Sequence, residues 1–335
     1  MNQLKKIVVA VSLLACAGAT TAQQPLPQPI KSSSINESQT QSQSQPQERS
    51  QPQSRSQPQS LAQGQGQATV QDGIQLRPLS RFRQLAPEKV VEQQSKQQYL
   101  QLMQQAQQKG ALVPASHEQV VRLRSVAKRI IPHTTRWNAA AANWQWQVNL
   151  LESDQVNAFC MPGGRVAFFS GILTKLKLTD DEVAAIMGHE IAHALREHGR
   201  EQMGKSMATN VGARVGGALI SAIFGVDPGI TDTVARYGAQ AASLKYSRDD
   251  EREADLVGLD LAARAGYDPR AGIILWQKMA AMNKSAPPAW MSTHPGGRER
   301  IAQMNEHMDV LLPLYARTKG TTVRQLPQYR TTAMN

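Results

Sequence analysis

Two histidines and a glutamate in the middle of the chain have the types and the spacing of a metal-dependent hydrolytic site. His189 and His193 are four residues apart, with Glu190 directly after the first, in the pattern H-E-x-x-H. Residues four apart share one face of a helix, so both imidazoles can bind the same ion. Glu190 is turned to the side of that face, where its carboxylate can take a proton from the attacking water. The segment therefore predicts a divalent metal ion with Glu190 as general base.

A catalytic zinc ion needs three protein ligands and one open position, so a third ligand must lie elsewhere in the chain. Glu251 and Asp255 are also four residues apart, in a charged segment that suits a helix. Glu251 can bind the metal, while Asp255 can accept a hydrogen bond from the free nitrogen of a ligating imidazole. The competing interpretation is a solvated charged helix, and we expect Arg248, Arg252 and Glu253 to face water. The pair predicts one zinc ion per chain, held between two helices.

The segments that must position this site form a mainly helical pattern with a small sheet. Alternating apolar residues over 144–150 predict a half-buried strand. Two short strands, 157–161 and 165–169, follow around a Pro-Gly-Gly turn. The predicted helices are 88–109, 116–131, 170–177, 180–223, 231–243, 249–265, 269–283 and 298–312. The predicted fold class is α+β, with the small sheet beside the helix that carries the histidines.

The region that precedes this domain indicates an exported protein. Lys5 and Lys6 precede a short apolar run, which is the layout of an export signal. Two processing routes stay open: cleavage after small residues, or cleavage before Cys16, whose preceding residues resemble a lipobox. The long stretch that follows is dominated by Gln, Ser and Pro. The chain is therefore divided into an export signal (1–22), a disordered linker (23–80), a catalytic domain (85–315) and a C-terminal tail (316–335).

Composition limits the classes of partner and of covalent crosslink. The net charge of +11 is not gathered into runs of Lys and Arg with interleaved aromatic residues. It therefore predicts a basic surface and no nucleic-acid partner. Cys160 is the only cysteine besides Cys16. If Cys16 is removed or acylated, no intramolecular disulfide can form.

Further motifs accompany the paired histidines. Glu251 and Asp255 belong to a Glu-x-x-Ala-Asp sequence, Val-Asn-Ala-Phe at 156–159 precedes the Pro-Gly-Gly turn, and Thr-His-Pro at 293–295 comes late in the chain. This set, spread over residues 88–312, resembles the bacterial BepA, LoiP and HtpX-type metallopeptidases, relatives of the CAAX prenyl endopeptidases. The resemblance implies a zincin-like metallopeptidase domain. In it, His189, His193 and Glu251 are zinc ligands, Glu190 is the catalytic base, and Asp255 supports a ligand.

The resemblance also suggests roles for residues around the metal. The implied substrate edge strand consists of Asn157, Ala158, Phe159, Cys160 and Met161, where an extended substrate can pair through its backbone. His294 either stabilises the oxyanion or occupies the open coordination position as a brake, with an ordinary loop histidine as the alternative. We expect Cys160 to have a packing role and His198 to be a surface residue. The stretch 203–226 suits a lid over the site.

The resemblance implies a zinc endopeptidase of the cell envelope that degrades misfolded or misassembled envelope proteins. Its implied location is the periplasm, with an outer-membrane anchor if Cys16 is acylated. Expected partners are unfolded proteins and an outer-membrane assembly machinery. Two alternatives stay open: a zinc-bound chaperone or scaffold that cleaves little, and a non-haem iron enzyme, because two histidines and a carboxylate also describe that site.

Overall fold

The computed structural model describes residues 72–208, 246–282, 289–294 and 296–334. The predicted export signal, most of the predicted linker, the predicted helix 231–243 and most of the predicted lid lie outside these ranges. Among the described residues, no helix combines the length and the apolar character that a membrane span requires.

Ten α-helices and three strands make up the described part of the chain. The helices are α1 (Glu88–Gln108), α2 (Glu118–Ile130), α3 (Ser170–Leu176), α4 (Asp180–Leu195), α5 (His198–Ala208), α6 (Arg248–Arg264), α7 (Ala271–Met282), α8 (Ala289–Thr293), α9 (Arg298–Glu306) and α10 (Met308–Thr318). The strands are β1 (Gln147–Leu151), β2 (Ala158–Met161) and β3 (Arg165–Phe169). This mainly helical α+β architecture confirms the predicted fold class.

The small sheet has the order β1-β3-β2, with β1 parallel and β2 antiparallel to β3. Gly163 and Gly164 connect β2 to β3 with φ angles of 82° and 81°. Only glycine adopts such angles readily, so the predicted Pro-Gly-Gly turn is confirmed. The first strand begins at Gln147, later than predicted, because its pairing partner β3 begins at Arg165, directly after the glycine turn. Strand β2 lies at the edge of the described sheet.

Helix α4 runs through the centre of the core with nearly every residue buried. Thr179 and Glu182 form a capping box at its start. Acidic residues in the first turn stabilise the helix further through their interaction with the helix dipole. Helix α6 packs along it and begins with a second capping box, formed by Ser247 and Asp250. The two helices therefore hold the predicted metal-binding residues on stiff, well-anchored segments.

Two predicted helices are wrong in their length. The helix predicted over 180–223 ends at Leu195, because Glu197 has a φ of 57° and turns the chain before α5 begins. The helix predicted over 298–312 is divided at His307, whose backbone does not continue α9.

Both flanking segments pack against the domain, in contrast to the boundaries expected from composition. Ile74, in the predicted linker, is buried, and Asp72 binds Arg264 and Arg317. In the predicted tail, Tyr329 shares a hydrogen bond with the cap residue Thr179 at 2.8 Å. Residues 72–80 and 316–334 therefore belong to the folded unit, because each finds specific polar partners on it.

Candidate metal centre

Four buried side chains converge on one point between α4, α6 and the end of α8. Their donor atoms, from His189, His193, Glu251 and His294, all lie within 4.8 Å of one another. The two Nε2 atoms of His189 and His193 are 3.1 Å apart. His189 Nε2 lies 3.5 Å from Oε2 of Glu251, and His193 Nε2 lies 3.5 Å from its Oε1. The structure thus brings together the three residues that the sequence predicts as ligands.

The spacing of these donors fits a tetrahedral zinc ion. Zinc binds nitrogen and oxygen at about 2.0–2.2 Å, which makes the edge of its coordination tetrahedron roughly 3.3–3.6 Å. His294 Nδ1 lies 3.2 Å from His189 Nε2 and 3.0 Å from a carboxylate oxygen of Glu251. His294 is therefore at the fourth corner of the cluster, which the sequence analysis left as one of three alternatives for this residue.

The protonation equilibria of the cluster also suit a divalent cation. Burial raises the pKa of Glu251, but His294, Arg300 and His189 outweigh burial and hold that pKa well below its usual value. Burial lowers the pKa of His193 well below its usual value. Burial also lowers the pKa of His189, yet hydrogen bonds to Asp255 and Glu251 raise it to about 9. An ionised carboxylate, as at Glu251, and a neutral imidazole, as at His193, are the forms that bind metal. The raised pKa of His189 shows that the neighbouring carboxylates favour a positive charge at this position.

Asp255 and Arg300 orient the candidate ligands through hydrogen bonds on the side away from the metal position. Asp255 Oδ1 lies 3.0 Å from His189 Nδ1, the arrangement predicted for it. Arg300 donates to both oxygens of Asp255 and to Glu251, each at 2.6 Å. It also lies over the ring of Trp276, 3.8 Å from the ring centroid. Arg300 follows the Thr-His-Pro motif and belongs to the same resemblance, but the sequence assigned it no role, because its contacts with Asp255 and Glu251 arise only in the fold.

Glu190 lies beside the cluster and is held by a tryptophan. Its Oε1 accepts a hydrogen bond from Trp290 Nε1 at 2.6 Å and lies 3.6 Å from His294 Nε2. The carboxylate is therefore next to the metal donors and outside their shell, as a general base requires. Trp290 is fully buried and was not singled out in the sequence, because a lone tryptophan more often packs than positions a catalytic group.

Two expectations about neighbouring residues need correction, and a third agrees with the structure. His198 is buried and lies against His193, with their Nδ1 atoms 2.9 Å apart, so it is not a surface residue. Glu253 does not face water, because Arg196 and Arg77 bind its carboxylate inside the fold. Cys160 is 4% exposed, and burial raises the pKa of its thiol, which agrees with a packing role.

The comparison with known sequences identifies this arrangement. The sequence profile of peptidase family M48 matches residues 118–308, which is more than half of the chain. The chain belongs to peptidase family M48. Membership confirms the predicted class of enzyme, a metallopeptidase, and zinc as the cofactor, since M48 metallopeptidases are zinc-dependent.

Several M48 relatives are similar over about half of this chain. The mitochondrial metalloendopeptidase OMA1 of Arabidopsis thaliana is 34% identical over 172 residues, which cover 50% of this chain and 33% of the relative. OMA1 of Bos taurus is 34% identical over 189 residues, 52% of this chain and 34% of the relative. A putative beta-barrel assembly-enhancing protease of Vibrio cholerae is 33% identical over 172 residues, 49% of this chain and 35% of the relative. The chain therefore spans about a third of the length of these relatives.

In this M48 domain the predicted substrate strand lies next to α4. Phe169 N donates to Asn157 O at 3.1 Å, and Ala158 stands opposite Phe168. Alternate residues of an antiparallel strand bond to their neighbour, so the backbone groups of Ala158 and Cys160 point away from β3. On that side, Val156 O accepts a hydrogen bond from Trp290 N at 3.1 Å. The outer edge of β2 thus leads toward the tryptophan that holds Glu190.

Proposed function

We propose that this M48 chain is a zinc endopeptidase of the cell envelope that cleaves misfolded or misassembled envelope proteins. The observation that carries the proposal is the meeting of His189, His193 and Glu251, from two separate helices, with Glu190 beside them. These three residues would hold the zinc ion, which polarises the scissile carbonyl and acidifies the attacking water when bound. Glu190 would take the proton from that water and pass it to the leaving amine. The hydrogen bond from Trp290 keeps the Glu190 carboxylate in place for both transfers.

In this proposal, His294 blocks the coordination position of the zinc ion that substrate and water would use. Its Nδ1 stands at the corner that substrate and water need, close to both His189 and Glu251. It lies directly after the short helix α8. A substrate must therefore displace His294 before the zinc is available. Such a brake suits a protease that acts only on selected clients.

Substrate would bind in an extended form along the outer edge of β2, at residues 157–161. The backbone groups of Cys160 and the carbonyl of Ala158 are directed to that edge, while Ala158 N donates to Asn157 Oδ1 at 3.0 Å. Main-chain pairing tolerates many side chains. A scan of N-methylated peptide substrates tests this, because N-methylation removes one backbone donor at a time. Cleavage should fall at alternate positions only. Equal loss at every position, or no loss at any, would contradict strand pairing.

The envelope location rests on the signal-like residues 1–22 and on the similarity to beta-barrel assembly-enhancing proteases. We propose a periplasmic protein, anchored to the outer membrane if Cys16 is acylated, with access to an outer-membrane assembly machinery. Labelling with a fatty-acid analogue and fractionation of cells would test both points, with Cys16→Ser as the comparison. Label that persists in Cys16→Ser would rule out this anchor, and recovery from the cytoplasm would rule out the location.

The decisive test of peptidase function is the variant Glu190→Gln, which keeps the shape of the side chain and removes its basicity. We expect zinc content to stay at one ion per chain and cleavage of casein or of a misfolded protein to fall by about 10²–10⁴-fold. Glu299→Gln is the matched control, because that carboxylate is exposed on α9. Native-rate cleavage by Glu190→Gln would contradict the proposal.

A zinc-bound scaffold that cleaves little is the second candidate, and the position of His294 at the fourth corner favours it. The two functions separate in cells that lack the native chain. If Glu190→Gln restores normal envelope assembly, the scaffold role is sufficient. If only the native chain restores it, proteolysis is the function.

A further inference from the structure

His198 lies behind His193, on the side away from the metal cluster. It is 1% exposed, and its Nδ1 is 2.9 Å from Nδ1 of His193. Its other ring nitrogen, Nε2, is 3.4 Å from a carboxylate oxygen of Glu253 and 4.0 Å from one of Asp250. A chain of contacts therefore leads from the cluster through two imidazoles to buried carboxylates.

The protons shared between His193, His198 and Glu253 can be assigned from the geometry alone. Two Nδ1 atoms in contact need one proton between them, so one histidine donates and the other accepts. His193 Nε2 faces the cluster, 3.1 Å from His189 Nε2, and must keep a lone pair to bind metal. The proton of His193 is therefore on Nδ1, and Nδ1 of His198 accepts it. His198 then carries its own proton on Nε2, where it is directed at Glu253.

The opposite assignment fails at the metal. If His198 donated from Nδ1, the proton of His193 would move to Nε2 and project among the other donors. His198 would also turn a lone pair toward Glu253 and Asp250, which are both acidic. Only the first proton assignment gives every ring nitrogen of His193 and His198 a suitable partner.

We propose that His198 is a positioning residue of the metal centre, which fixes the tautomer and the ring orientation of His193. This inference rests on the proposed role of His193 as a zinc ligand. The partner of His189 is the carboxylate of Asp255, whereas the partner of His193 is a neutral imidazole that relays the contact to Glu253. Partners of this kind typically change metal affinity by 10–100-fold when they are removed.

The surroundings hold His198 rigidly in this role. Arg196 Nε donates to Glu253 at 3.0 Å, and Arg77 binds the other oxygen of that carboxylate, so Glu253 cannot turn away. Tyr246 stacks on the ring of His193 at a centroid distance of 3.9 Å and an angle of 23°. The stacking restrains the plane of the His193 ring, and the bond to His198 sets its rotation within that plane.

Two substitutions separate the hydrogen bond from the space that His198 fills. His198→Leu occupies a similar volume but cannot accept the proton of His193. His198→Asn keeps an oxygen near the position of Nδ1 and should accept it. Zinc affinity, measured by competition with a chromophoric chelator, should fall about 10–100-fold in His198→Leu. It should stay within a few-fold of native in His198→Asn, and Glu201→Gln, in the same turn of α5, controls for changes to that helix.

The outcomes distinguish failure of this inference from failure of the proposed function. If the native chain binds no zinc, or if His193→Ala binds it as well as native, the proposed metal site is wrong. If that site holds but His198→Leu keeps native affinity, or His198→Asn loses as much as His198→Leu, this inference alone is overturned. Should the variants not fold, ¹⁵N NMR of the zinc-loaded native chain decides: a proton on Nδ1 of His198 overturns it, and protons on His193 Nδ1 and His198 Nε2 support it.

Discussion

In the proposed mechanism, the side chain of His294 closes the metal centre until a substrate displaces it. It stands 3.2 Å from His189 Nε2, where a fourth ligand would be, and 3.6 Å from Glu190. In His294→Ala we expect the rate of casein cleavage to rise several-fold while the zinc content stays at one per chain, because three ligands are retained and one corner opens.

Thr293→Ala is the control for His294→Ala, because Thr293 is buried next to it and bonds only to the backbone of Trp290 in the described contacts. A loss of kcat in His294→Ala with normal zinc content would mean that His294 assists the reaction. His294 would then stabilise the oxyanion and would not block the open coordination position.

At the scale of residues, the sequence was informative where chemistry imposes a spacing. His189 and His193 could be selected because two ligands on one helix must share a face, and Glu251 because it has the same four-residue spacing from Asp255. Arg300 and His198 could not be selected in the same way. Their roles depend on which carboxylate or imidazole the fold places behind a ligand, and no local pattern in the sequence records that contact.

At the scale of elements, the contact between α4 and α6 sets the geometry of the site. The helices cross where Gly188 meets Gly258, and a Cβ on Gly258 would lie 2.6 Å from the backbone nitrogen of His189. No side-chain rotation can relieve a contact with backbone atoms. The absence of a side chain there allows Glu251 and Asp255 of α6 to reach the histidines of α4.

Gly258→Ala should therefore push the two helices apart. We expect an unfolding free energy about 1–3 kcal/mol lower than native, the usual cost of overpacking a core, together with weaker zinc binding. Chemical denaturation and chelator competition measure the two effects. Gly297→Ala is the control, because its added Cβ meets nothing nearer than 4.0 Å. Native zinc affinity in Gly258→Ala would show that the crossing does not position the ligands.

Element prediction succeeded where local signals were strong and failed at changes of direction. The turn between β2 and β3 could be predicted because two adjacent glycines mark it. The end of α4 could not, since Glu197 adopts a φ of 57° without being glycine. Arg83 and Arg200 bind its carboxylate, and these partners come from distant parts of the chain or from the next helix.

At the scale of the whole molecule, charged contacts join the flanking segments to the core. Asp72 binds Arg264 and Arg317, and Arg77 binds Glu253. Composition predicted a linker up to residue 80 because the stretch is polar and low in complexity, but a few specific residues are enough to dock its last part. The fold class and the main helices could thus be predicted from the sequence. The first and last residues of the folded domain could not.

The network around Glu253 should make stability depend on acid pH. Burial raises the pKa of Glu253, but His198, Arg196 and Arg77 outweigh it and lower the pKa from 4.5 to about 2. Below pH 4.5 the unfolded chain takes up a proton that the folded chain still rejects. The contribution of Glu253 to stability is therefore fully present above pH 4.5 and is lost as the pH falls toward 2.

The variant Glu253→Gln isolates this contribution, because glutamine does not titrate. Urea denaturation with a chelator present, so that acid release of zinc plays no part, should show the variant less stable than native at pH 6. The difference should shrink between pH 4.5 and pH 2 and nearly vanish at the lower end, while Glu299→Gln, exposed on α9, should follow the native curve. A difference that stays constant over this range would mean that the Glu253 network contributes packing and no charge interaction, and that the flanking segment is held by other contacts.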